Sequence, residues 1–241
     1  YFCRQAIKIR GKKDSKKILH FAHLRDSDDC SIKTNNKYSK DELLKIKYNG
    51  AKESDLHIEL KTFIAQYLTA NKNNSKGIEF VDTELINRHQ SIPKIWKRPD
   101  VSSKYLGKPV VFELQLSTTF LSVINSRQAF YKENNTFIIW VFSIFETDDE
   151  RRKFTQSDVF YNNNRNGFEL DEQAKEKSIQ ECDLVLKCNY QKPVIRSNSV
   201  GYEWTSEFVK LSDLTFNSDS FKVYYYDVDG MTEKLKIELK L

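Results

Sequence analysis

Residues 99–117, PDVSSKYLGKPVVFELQLS, set two strand-like runs on either side of Leu106 and Gly107. A two-residue turn fixes the register of a hairpin, and glycine readily takes the positive φ that such turns require. That register sets Asp100 directly opposite Glu113 on one face, with Cβ atoms roughly 4.5–5.5 Å apart. Strand alternation adds Val111, Gln115 and Ser117 to the face of Glu113 and sends Val110, Phe112, Leu114 and Leu116 to the other. Like charges held opposite each other repel. Two arrangements remove the conflict: a solvent-facing side where each carboxylate meets water or a lysine, or a divalent cation between them, where oxygen ligands suit Mg²⁺ or Mn²⁺.

The flanking segments bring further polar groups. In KESDLHIELKTFIAQYL, Glu53 and His57 continue the helical stripe of Leu60, Ile64 and Tyr67. A second helix, over about 118–132, carries Phe120, Ile124, Arg127 and Tyr131 at spacings that put an arginine inside an apolar stripe. A buried charge needs a partner. Singly, Glu53 reads as a first-turn acid, His57 as a core histidine and Arg127 as a snorkelling side chain. Together they converge on one polar pocket. IEFVDTELI, IPKIWKRPDV and KPVVFELQLS read as strands, and TFIIWVFSIF as a strand covered on both faces. The order is therefore helix, three strands, helix, strand.

Three regions are expected: residues 1–45, a small module rich in lysine; 46–146, the main core; and 147–241, an α+β extension packed on that core. In the last, FELDEQAKEKSIQE reads as a helix, NNNRNG as a loop, and CDLVLKCNY, EFVKLSDLTF and FKVYYYDV as strands. Cys182 and Cys188 bracket one of these strands and read as buried apolar positions. Of the formal charge of +5, seven basic groups against Asp14 in residues 1–17 leave the remainder near neutral. A basic end suits phosphate contact; a solvated loop explains it equally. Cys3, His20, His23 and Cys30 could supply four soft ligands to Zn²⁺, with Lys12, Lys13, Lys16 and Lys17 at a hairpin tip between them. The alternative is that His20 packs on the body and Cys30 is a free thiol. Neither a signal-peptide pattern nor an apolar run of membrane-spanning length is present, so a cytoplasmic protein without a membrane partner is expected. No phosphate-cradling glycine loop or nucleophile motif occurs.

ESDLH on a helix, RPDV, FELQLS, a helix with RQAFY and then FIIWVF together resemble the PD-(D/E)XK nuclease core, and more narrowly the nuclease domain of the competence protein CoiA and its bacterial relatives. The resemblance covers about residues 1–145. It implies a restriction-endonuclease-like αβββαβ core within an α+β mixed-sheet fold, with a zinc-ribbon-like N-terminal module. It also implies Mg²⁺- or Mn²⁺-dependent hydrolysis of DNA phosphodiester bonds, with Asp100, Glu113 and the carbonyl of Leu114 as ligands of the catalytic metal. Glu53 matches the first-helix acid, and Arg127 and Tyr131 match groups that bind a phosphate oxygen. Gln115 stands where many members carry lysine; it can orient a water by hydrogen bonds but exchanges no proton at neutral pH. The competing expectation is a nucleic-acid-binding module that keeps the fold without cleavage. A third class, a protein-interaction scaffold, would leave Glu53, Asp100 and Glu113 as a surface acid cluster.

Overall fold

The computed structural model describes residues 7–10, 20–23, 54–83, 85–92, 94–116, 119 and 121–239. The chain divides into two compact units, Tyr1–Ser54 and Asp55–Leu241. In the first, β1 (Ile7–Arg10) pairs antiparallel with β2 (His20–His23), Ile7 opposite His23 and Arg10 opposite His20. His20 and His23 are thus two ends of one short strand. Cys3, Cys30 and the four lysines expected at a hairpin tip lie outside the described residues.

The second unit begins with α1 (Asp55–Asn73), which opens on an acid and closes on Lys72, as the helix dipole favours. Its buried stripe is Leu60, Ile64, Leu68 and Asn71. Tyr67, expected on that stripe, is only half-buried, because the helix is rotated to seat Leu68. Then come β3 (Ile78–Asp82), β4 (Asn87–Arg88), β5 (Trp96–Lys97), β6 (Val101–Tyr105) and β7 (Lys108–Leu114). The single strand expected over IPKIWKRPDV is two pieces. Pro99 lacks the N–H a ladder needs, so β5 pairs with β4 in a separate hairpin and β6 starts after Asp100.

The β6–β7 hairpin has the expected register, Val101 facing Phe112 and Tyr105 facing Lys108. Leu106 at φ 47° and Gly107 at φ 78° make the turn, both positive as a twist-matched two-residue loop demands. Beyond it lie α2 (Leu121–Glu133) and β8 (Phe137–Phe142), whose FIIWVF is buried at every position.

Residues 147–241 carry the same sheet onward. They form α3 (Phe154–Asn162), β9 (Asn166–Glu169), α4 (Glu172–Glu181), β10 (Val185–Arg196), β11 (Ser199–Lys210), β12 (Thr215–Asn217), β13 (Lys222–Tyr224) and α5 (Val228–Glu238). The main sheet has seven strands in the order β11-β10-β9-β8-β7-β6-β3. β7, β8 and β9 are parallel, and the strands on each side of them pair antiparallel. The molecule is therefore a mixed α+β fold. One apolar layer joins Leu60, Ile64 and Leu68 to Val110, Phe112 and Leu114. A second, on the opposite face, joins Val111 to Ile124, Tyr131, Ile138, Trp140 and Phe160. The face of Val111 and Glu113, one reading of which opened it to water, lies beneath α2.

Two local departures have clear causes. Cys182 is not in a strand: it caps α4 at φ 47° and is exposed, whereas Cys188 is buried in β10. The NNNRNG segment is a sharp αL turn at Asn164 and Arg165 that delivers Asn166 into the interior. There Asn166 Oδ1 accepts the N–H groups of Tyr225 and Tyr226, each at 3.0 Å. Its Nδ2 donates to the carbonyls of Tyr226 at 2.8 Å and Asn164 at 2.6 Å. Asn166→Ala strands these partly buried backbone groups and is expected to cost about 2–3 kcal/mol, read as a fall in the urea midpoint at unchanged m-value.

Candidate active site at the carboxyl ends of β7 and β8

Asp100 enters the site from the residue preceding β6, Glu113 from the last turn of the pleat in β7. One oxygen of Asp100, Oδ2, accepts the N–H of Leu114 at 2.7 Å. The other, Oδ1, lies 3.2 Å from Nε2 of His57, which reaches in from the first turn of α1. Glu113 is 4% exposed. Its Oε1 accepts the hydroxyl of Tyr131 at 3.0 Å and a guanidinium N–H of Arg127, both from α2. Helices on opposite faces of the sheet thus each grip one carboxylate. The spacing that put an arginine in an apolar stripe is explained: its partner is Glu113.

The electrostatics follow from burial. The carboxyl of Glu113 is pushed up to about 7, chiefly by loss of water and further by the charge of Asp100; Arg127 and the Tyr131 hydrogen bond oppose the rise. Tyr131 is pushed well above its ordinary value by burial and by the charge of Glu113 beside it. Arg127 is held more firmly protonated, first by Glu113, against its own burial.

Gln115 follows the strand, and its backbone N–H donates to the Val141 carbonyl at 2.9 Å, tying the ends of β7 and β8 together. It borders a cavity of about 290 Å³ with Leu116, Phe142, Ser143 and Gln156. Gln156 shapes that cavity, accepting from the N–H of Glu146 at 3.1 Å and donating to the Ile144 carbonyl at 2.7 Å. Sequence gave no signal for Gln156, since nine-residue α3 is too short to show a period. Glu53 lies outside the described residues.

Asp100 and Glu113 offer hard oxygen donors of the kind Mg²⁺ or Mn²⁺ takes, and neither hydrogen bond described for Glu113 uses its Oε2. Among the described residues, no group of three or more His, Cys, Asp or Glu side chains gathers closely enough to hold a metal ion. Of the three acids singled out in the sequence, Asp100 and Glu113 are among the described residues and Glu53 is not. Also among the described residues, no helix is long and apolar enough to cross a membrane.

The fold defines an α+β protein built on a mixed seven-stranded sheet, with Asp100 just before β6 and Glu113 near the end of β7. The chain belongs to the family described as a domain of unknown function, DUF6035, whose model matches residues 19–229. No curated protein and no solved structure matches the chain.

Proposed function

We propose that the protein is a metal-dependent deoxyribonuclease built on a restriction-endonuclease-like αβββαβ core, hydrolysing DNA phosphodiester bonds with an activated water. The observation that carries this reading is the burial of Glu113 within reach of the charge of Asp100, which precedes the neighbouring strand β6. Packing alone favours an apolar residue there. The order α1, β3, β6, β7, α2, β8, with β7 and β8 parallel, supports it.

Asp100, Glu113 and the Leu114 carbonyl would hold Mg²⁺ or Mn²⁺, which when bound supplies an acidic water and shields the anionic transition state. The chain's own residues set the rest. The Leu114 N–H and His57 fix the rotamer of Asp100, and Arg127 with Tyr131 fixes that of Glu113. Arg127 commits one nitrogen, Nη1, to Glu113; its other N–H donors can take a phosphate oxygen. Gln115 orients the attacking water through its amide.

The test is incubation of single-stranded, duplex and branched DNA with the protein in Mg²⁺, Mn²⁺ or EDTA. Cleavage in cation alone is expected; an absence of cutting on every substrate overturns the enzyme reading. The second reading, a DNA-binding module without cleavage, is favoured by Gln115 in place of lysine. It predicts DNA binding in both cation and EDTA with no product. In the first unit, we propose that a structural Zn²⁺ is held by Cys3, Cys30 and one of His20 and His23, which alternation along β2 sends to opposite faces. Elemental analysis should return one zinc per chain, and its absence removes that site.

A further inference from the structure

One step round α2 from Arg127 and Tyr131, Gln128 and Lys132 line a second cavity of about 320 Å³, within the size range of small-molecule sites. Its apolar surface comes from Ile138 and Trp140 of β8 and from Phe221. Phe221 sits at φ 55°, a region bulky side chains seldom adopt. Trp140 is 4% exposed, and its indole N–H is buried with no acceptor among the described residues. The polar part of the lining is amide and hydroxyl, including Asn125, Asn162 and Ser220, with Lys132 and Lys222 as its charges and no carboxylate. Lys222 is 3.6 Å from Asp229, a partly exposed pair weak enough to be exchanged for a ligand anion.

This set of groups selects its ligand by class. Two lysines without a lining acid favour an anion. Asparagine and glutamine amides present a donor beside an acceptor, the pattern that matches the edge of a nucleobase. An aromatic ring favours a flat, π-faced group. We propose that this cavity binds a nucleotide, with the base held at Phe221 and Trp140, its edge read by Gln128 and Asn162, and its phosphate held by Lys132 and Lys222. The proposal does not depend on whether the chain cuts DNA.

The test is calorimetric titration of the full chain, in EDTA, with AMP, GMP, CMP and UMP and, as references, ribose 5-phosphate and inorganic phosphate. At least one nucleotide should bind ten or more times tighter than either reference. Gln128→Ala and Lys132→Gln, on the surface of α2, should each weaken it about tenfold, and Asp100→Asn should leave it unchanged. Thermal melts confirm that the variants are folded. Three results overturn the proposal: no nucleotide bound more tightly than ribose 5-phosphate, binding that survives both α2 substitutions, or binding lost in Asp100→Asn, which would put the nucleotide at the carboxylates.

Discussion

Asp100→Asn is expected to slow cation-dependent DNA cleavage by about 10³-fold while leaving the protein folded. The amide oxygen of asparagine can still accept the Leu114 N–H that Asp100 holds at 2.7 Å, so the backbone at the end of β7 keeps its partner. What disappears is the negative charge, and with it the attraction for a hard cation. Glu113→Gln should act similarly, because its amide oxygen can still accept from Tyr131 and Arg127. Initial rates on one substrate at saturating Mg²⁺, with far-ultraviolet dichroism as the folding check, decide the matter. Wild-type rates in both variants would remove these carboxylates from the chemistry.

Arg127→Met is expected to destabilise the cation-free protein by about 1–2 kcal/mol at pH 8, because the buried Glu113 carboxyl loses its counter-charge and must take up a proton instead. The loss should depend on pH in a definite direction. Glu113 in the folded protein is already raised from 4.5 to about 7, so the folded state holds a proton there that the unfolded chain has released. That contribution is fully present below about pH 4.5 and is lost as pH rises through about 7. Without Arg127 the carboxyl moves higher still, and the deficit against wild type should be small near pH 4.5 and grow toward pH 8. Urea titrations at the two pH values in EDTA measure it. Arg127→Met with Glu113→Gln should recover most of the loss, since no buried charge remains; equal deficits in single and double variants would refute the ion pair as the cause.

The hairpin was legible because its turn is chemically explicit: Leu106-Gly107 permits one register, and the observed pairing of Val101 with Phe112 follows from it. Arg127 and Tyr131 were legible as polar groups on a buried stripe, though their partner was not, since an i, i+4 pattern shows which face is buried and not what faces it. The strand at 92–101 failed at Pro99, where a local rule should have prevailed over apolar content. The seven-stranded sheet was not legible as one body. Its β9 is four residues long and begins inside an asparagine-rich run, and nothing in a polar turn announces that Asn166 will be buried. Helix α5, around Gly230, carries a glycine in its first turn, which weakens any propensity signal.

Helix α2 holds Glu113 through two side chains and borders the larger cavity with their immediate neighbours. If a ligand on one flank shifts α2, the affinity on the other flank changes with it, and thermodynamic linkage then requires the two changes to be the same factor in either direction.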